Sequence, residues 1–368
     1  MKILFIAPIP PPVTGQSLAV KVIYDELEKE HQVEVINLNK ESFKSGLNSL
    51  KRLNQVAGIL KAVWRQRKNN DIIYFAISES FAGNMKDLVI YLICFKSLRQ
   101  TIIHMLGGAG MKRILESRGI QFRLNNYFIN RLGGIIVEGN TQFKMFSKII
   151  SPEKIHVVPN FAEDFLFVSE SEIEEKFSCV NPITILYLSN LIYGKGYLEL
   201  VDAYLGLRDE QKEKIRIVFV GGFESDNFKS EFLQKINGSE GLEYHGLFIS
   251  GNEKKKLYLK SHVFCLPTYY PFEGQPISIL EAYATGCVVI TTNHSGIPDV
   301  FTNGTNGFEV EKGSADSIRE ILLKIIEKPE QLLPMAISNR KTALEKYRTS
   351  IYSDSLIRVF ERISPIKF

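Results

Sequence analysis

The chain has little that could hold it together covalently or through a metal. Its 368 residues include four cysteines, Cys94, Cys179, Cys265 and Cys287, and none stands in a metal-ligand spacing. That excludes a disulfide scaffold and a zinc module, and predicts buried free thiols in a reducing compartment. Long apolar runs are missing as well. The longest, Leu88 to Phe95, falls far short of the roughly 18 residues a membrane span needs. A secretory leader is not expected, because Met1-Lys2 leads straight into Ile3 to Ala7 and then prolines, which reads as a first strand. Internal repeats, low-complexity tracts and the basic-and-aromatic pattern of a nucleic-acid module are absent too, so no nucleic-acid partner is expected.

What remains is an ordinary globular composition, 45% hydrophobic and 23% charged, in a chain long enough for two cores. The net charge of +4 conceals an asymmetry. Residues 1–160 hold 22 Lys and Arg against 12 Asp and Glu, and the remainder 23 against 29. A basic first half points toward an anionic partner, and a membrane surface or lipid diphosphate fits it. Two stretches could carry that contact: an amphipathic helix over residues 43–67 and the arginine-bearing stretch 113–131, which includes Arg118 and Arg123. A solvated helix face is the plainer reading of both.

Apolar strand patterns alternate with helical ones throughout. In the first half they fall at 2–9, 33–38, 72–77, 101–106, 134–138 and 155–159, and in the second at 183–188, 215–220, 242–247, 263–266, 287–292 and 307–310. This alternation predicts an α/β protein of two doubly wound parallel-sheet domains facing across a cleft. The boundaries read as a first domain over 1–165, a pattern-poor linker over 166–182, a second domain over 183–348 and a terminal helix over 349–368.

The stretch from His262 to Asp299 organises the second half. It reads as a strand, a loop opening a helix near Pro276, that helix stopped by Gly286, and a second strand. Ligands bind where such a strand ends and the helix begins. The first helical amides, of Ile277, Ser278 and Ile279, suit a phosphate, and Gly274 admits a close main-chain approach. Glu273 and Glu281 bracket that point. Carboxylates beside an anion site make sense when the ligand also offers hydroxyls, as a nucleotide sugar does.

Glu273, Glu281, Ala282-x-Ala284-x-Gly286 and Ser295-Gly296-Ile297-Pro298-Asp299 together resemble the signature of the family 4 retaining glycosyltransferases of GT-B fold. The resemblance implies a metal-independent hexosyltransferase with no cofactor, since the nucleotide sugar is itself a substrate. It places Glu273 by the donor sugar hydroxyls and Glu281 on the ribose hydroxyls, with Gln275 and Pro276 beside them. The loop Ser189 to Gly196 is similar to the family's Gly-Arg-x-x-x-x-Lys-Gly. Lys195 then meets the donor diphosphate, whereas Asn190 stands where the family has arginine; it can donate a hydrogen bond but carries no charge. Lys254, Lys255 or Lys256 could replace the missing cation.

The residue pattern after the first strand makes Ser17 the expected cap of the next helix, and the resemblance implies that Gly15 and Gln16 before it close over the donor. Main chain after Gly246, at Leu247 and Phe248, would hold the base. His104, before Gly107 and Gly108, becomes the candidate active-site histidine, although many relatives carry histidine at the position of Leu106. The terminal helix is expected to cross back onto the first domain. A UDP-sugar is the favoured donor, with GDP-mannose as alternative. The acceptor is expected to be a lipid-linked saccharide of O-antigen, capsule or exopolysaccharide assembly, on the inner face of the cell membrane. A GT-B epimerase or synthase with a soluble acceptor, and a non-catalytic partner subunit, are the competing readings.

Overall fold

A computed structural model describes residues 1–11, 14–38, 49–247 and 250–364, with the side chains of 49–52 and 109 left aside. The chain divides into two compact units, one of Met1–Asn160 with Ser350–Phe368 and the other of Phe161–Thr349. Each is built on a six-stranded sheet in which every pairing is parallel.

In the first unit the strands are β1 (Lys2–Ala7), β2 (Gln32–Asn37), β3 (Ile72–Ala76), β4 (Thr101–Met105), β5 (Gly134–Val137) and β6 (Ile155–Val157), ordered β2-β1-β3-β4-β5-β6. The helices are α1 (Gly15–Leu27), α2 (Ser49–Gln66), α3 (Phe81–Ile93), α4 (Ala109–Glu116), α5 (Ile120–Ile129) and α6 (Asn140–Phe146). Strands β1, β3, β4 and β5 are almost wholly buried, as parallel strands covered on both faces must be.

Three sequence readings are refined here. Thr14, not Ser17, caps α1: the Ser17 amide donates to Thr14 Oγ1 at 3.1 Å, and the Thr14 amide donates to Ser17 Oγ at 2.8 Å. The arginine-bearing stretch 113–131 spans parts of two helices, α4 and α5, separated where Arg118 takes φ +52° before Gly119. Of the helix expected over 43–67, residues 43–48 lie outside the described residues, and the rest is α2.

The second unit orders its strands β12-β11-β10-β7-β8-β9. They are β7 (Ile183–Leu188), β8 (Ile215–Val220), β9 (Leu242–Tyr244), β10 (Val263–Leu266), β11 (Val288–Thr292) and β12 (Gly307–Val310). Helices α7 (Glu170–Phe177), α8 (Tyr197–Leu205), α9 (Asp209–Lys212), α10 (Asp226–Ile236), α11 (Gly251–Leu259), α12 (Ile277–Ala284), α13 (Ala315–Glu327) and α14 (Leu332–Lys346) surround the sheet.

The linker expected over 166–182 is a correction. Leu166 and Ile173 are fully buried in this unit's core, and α7 opens on a capping box between Ser169 and Glu172. Gly286, at φ +63°, ends α12, and a Cβ there would lie 2.4 Å from Ile173 Cδ1. Glycine therefore both stops one helix and seats another.

The last helix, α15 (Thr349–Ile363), belongs from Ser350 onward to the first unit. Tyr352, Leu356, Val359 and Phe360 are buried there, and the Phe360 ring stacks 5.8 Å from Tyr74. No described helix is long and apolar enough to cross a membrane.

Candidate functional site: two carboxylate–lysine pairs around a helix amino end

The loop after β7 is held from three sides. The Ser189 amide donates to the Val220 carbonyl at 3.1 Å and the Leu191 amide to that of Gly222 at 2.8 Å. Tyr187, wholly buried, directs its hydroxyl at the carbonyls of Asn190 and Lys195, 3.5 and 3.3 Å away. The Tyr269 amide donates to the Gly194 carbonyl at 2.7 Å. Gly196 sits at φ +80°, and a Cβ there would lie 2.3 Å from the Pro267 carbonyl oxygen. Only glycine lets the two loops approach this closely.

That approach delivers Lys195 to Glu273. The ammonium lies 2.7 and 3.0 Å from the two carboxylate oxygens, and Thr268 Oγ1 donates to one of them at 2.8 Å. Glu273 is only 7% exposed, so the attraction is poorly screened and loss of either partner strands a buried charge. The loop behind it is pinned in turn. Ser295, at φ +50°, donates its hydroxyl to the Glu273 carbonyl at 2.5 Å, and His294 Nε2 lies 2.8 Å from the Tyr270 carbonyl oxygen. Gly296 lies so close that a Cβ would approach the Gly274 carbonyl oxygen to 2.9 Å.

Helix α12 opens immediately after. Pro276 is its N-cap, so the first helical residue is Ile277, and the Pro276 carbonyl accepts the Ile279 amide at 3.1 Å. The three free amides expected become two. Those of Ile277 and Ser278 find no acceptor among the described residues. No side chain caps this end, so the positive pole of the helix is left for a ligand.

Glu281, one turn further, is 3% exposed and makes the second pair. Lys254, on α11, places its ammonium 2.6 Å from Glu281 Oε1 and 2.6 Å from Glu163 Oε2. Tyr258 donates to Glu281 Oε2 at 3.1 Å and to the Ser278 carbonyl at 3.2 Å. Burial of Lys254 works against its charge, but Glu281 and Glu163 outweigh it and hold the ammonium above its ordinary range. A carboxylate so held keeps lone pairs for hydroxyl donors.

Lys254 is therefore already committed to two acids. Lys255 directs its ammonium at the Phe167 carbonyl, 3.3 Å away, and Lys256 is exposed. Asn190 is also exposed, and its side chain replaces no charge. Gln275 is buried, and Leu247 is 75% exposed after Gly246 at φ +90°. Phe248 lies outside the described residues.

Three candidates belong to the first unit. Gly15 is exposed and is the first residue of α1 rather than part of a loop, with Gln16 half-buried behind it. His104 is a correction: its side chain is wholly buried within β4, out of reach of any ligand. Its Nδ1 is 2.7 Å from the Tyr74 hydroxyl, and burial drives its pKa down to about 3. It is a neutral core imidazole.

Sequence reasoning missed Thr268, Tyr258 and Glu163, and named Ser295 only within the family motif. Each comes from a segment remote in sequence from its partner or carries no motif; only the Thr-x4-Glu spacing of Thr268 and Glu273 was local.

Two loops and a helix amino end at the carboxyl edge of a parallel sheet, with buried acids flanking the opening, define a nucleotide-binding α/β unit. Residues 169–342 match the family model described as glycosyl transferases group 1. The match lies within the second unit and supports a family 4 glycosyltransferase, and the two parallel-sheet units have the GT-B fold.

It is 23% identical over 265 residues to an uncharacterized glycosyltransferase of Methanocaldococcus jannaschii, a match covering 67% of this chain and 64%, just under two thirds, of the relative. It is 24% identical over 335 residues to the N,N'-diacetylbacillosaminyl-diphospho-undecaprenol alpha-1,3-N-acetylgalactosaminyltransferase of Campylobacter jejuni, covering 89% of this chain and 78% of that one. Among solved structures, Anabaena Alr3699/HepE in complex with UDP superposes with a TM-score of 0.72 at 18% identity, over 97% of this chain and 99% of that one.

Proposed function

We propose that the chain transfers a sugar, with retention at the anomeric carbon, from a nucleotide-sugar donor to an acceptor hydroxyl. The observation that carries this reading is the Lys195–Glu273 pair beside the open amino end of α12. A donor diphosphate accepts from the Ile277 and Ser278 amides and draws Lys195 toward itself. Glu273, released from its lysine, accepts from the donor sugar hydroxyls, and Glu281 from those of the ribose.

In the transition state the bond from the anomeric carbon to the diphosphate oxygen breaks, and its electron pair leaves with the diphosphate. Lys195 and the helix pole stabilise that charge more strongly than in the ground state, which lowers the barrier. The acceptor oxygen bonds to the anomeric carbon from the face the diphosphate vacates, and its proton passes to a diphosphate oxygen. The chain supplies no separate base in this scheme, and no divalent metal is invoked because lysine and helix share the charge.

UDP is favoured as the leaving nucleotide, which the UDP bound in the Anabaena neighbour supports. A lipid-linked saccharide acceptor of surface-polysaccharide assembly, on the inner membrane face, is supported by the diphospho-undecaprenol in the Campylobacter relative's name and by the basic first unit. Labelled UDP- and GDP-sugars incubated with and without polyprenyl-diphosphate saccharides test this. The expected result is labelled lipid product formed only with acceptor, and with the donor's anomeric configuration. Free sugar or epimer released without acceptor would instead favour the epimerase reading. No turnover of any donor, with nucleotide still bound, would favour a partner subunit.

A further inference from the structure

One face of the first unit is apolar where solvent should make it polar. On α3, Phe81, Met85, Val89 and Leu92 recur at helical spacing and stay exposed, Phe81 at 70% and Leu92 at 64%. On α5, Ile120, Leu124 and Tyr127 do the same, Ile120 at 77%. The two stripes lie side by side because a buried amide exchange locks the helices. Asn84 donates to Asn125 Oδ1 at 3.1 Å and Asn125 to Asn84 Oδ1 at 2.8 Å. Single exposed apolar residues are ordinary; a paired stripe on two locked helices marks an interaction surface.

The stripe ends in cations. Phe95 stacks on Tyr127 with ring centroids 6.4 Å apart, and the Arg131 guanidinium covers the other ring at 3.7 Å. Arg131 then lines a cavity of about 430 Å³ together with Arg99, Lys154 and Arg362, and no carboxylate among the described residues lines it. Among the described residues none of these four cations pairs with an acid. From residue 77 to 134 the chain carries eight Lys and Arg and three acids. Of those acids, Asp87 is buried against Lys86, and Glu79 accepts from the Gly108 and Gly110 amides.

We infer that the α3–α5 face docks on an anionic lipid bilayer, its apolar stripe entering the acyl boundary and the Arg99–Arg131–Lys154–Arg362 cavity taking a lipid phosphate. Apolar rows with unpaired cations at their end match the layering of a bilayer, apolar inside and anionic at the headgroups. The inference shares with the proposed function only the membrane setting. It is independent of the donor site, which nucleotide titration tests separately, so either can fail alone.

The test is sedimentation of the full chain with vesicles of phosphatidylcholine alone and of phosphatidylcholine with phosphatidylglycerol. Binding is expected only to the second, and to weaken as salt rises. Arg99→Ser with Arg131→Ser should reduce partitioning by about thirtyfold, at ~1 kcal/mol per cation near the surface. Phe81→Ser with Leu92→Ser and Ile120→Ser should abolish it. All five side chains are exposed, so circular dichroism should show the fold retained. Failure to bind anionic vesicles, or binding unchanged in both variant sets, would overturn the inference. So would self-association of the wild type that the apolar triple variant loses, since a second copy would then cover the face.

Discussion

Lys195→Ala should lower kcat/KM for sugar transfer by about 10³-fold. One fixed donor to a developing oxyanion is worth ~10²–10³ in rate, and this chain concentrates the task on one side chain. Asn190 carries no charge, and Lys254 is held by Glu281 and Glu163. The same substitution strands Glu273, 7% exposed, with Thr268 as its remaining side-chain partner among those described. A buried charge left unpaired costs roughly 3–5 kcal/mol, so the single variant should also melt early. Lys195→Ala combined with Glu273→Gln separates the effects. The double variant should regain most of the lost stability, read by calorimetry, and none of the lost activity. Recovery of both would mean that Lys195 serves only the resting structure.

Glu281→Ala should have the largest effect on stability. It removes one of two carboxylates from Lys254, whose side chain is 2% exposed, and one of two acceptors near the buried Tyr258 hydroxyl. The expected loss is about 3 kcal/mol, the lower end for breaking a buried pair because Glu163 stays in place. At ~2–4 °C per kcal/mol for a domain of this size, melting of the second unit should fall by on the order of 10 °C. Glu281→Gln keeps the shape and a hydrogen-bond acceptor, so it should cost less stability yet still weaken donor binding, raising KM more than it lowers kcat. Equal stability of Glu281→Ala and wild type would contradict the geometry of the pair.

Much of the second unit was legible before its structure. Strands 183–188, 215–220, 263–266 and 307–310 fall where the apolar runs put them, because strands buried on both faces read as unbroken hydrophobic segments between turn formers. Helix α7 was not seen, although Ser169 and Glu172 stand three apart before Ile173. Two turns of helix with one fully buried side chain show too little periodicity to stand out against a charged segment. The break between α4 and α5 was not read either, although Glu116, Ser117, Arg118 and Gly119 interrupt the apolar pattern there.

In the site, Glu273, Glu281 and Lys195 stood out through motif spacing. What engages them did not, because Lys254 reaches Glu281 from 27 residues away along the chain and Glu163 reaches Lys254 from 91 residues away. The histidine at 104 illustrates a limit of position-based reading. A strand end beside glycines is where ligand-facing groups occur, yet the alternation of β4 turns this side chain into the core against Tyr74.

Everything proposed for the second unit requires that a diphosphate be held at the opening of α12. Isothermal titration with uridine, UMP and UDP, repeated with the guanosine series, examines that most directly. One nucleoside diphosphate should bind at least about 100-fold more tightly than its nucleoside, a difference of ~2.7 kcal/mol, and Lys195→Ala combined with Glu273→Gln should remove most of that gain. Equal affinity for nucleoside and diphosphate in both series, or no binding at all, would contradict the account.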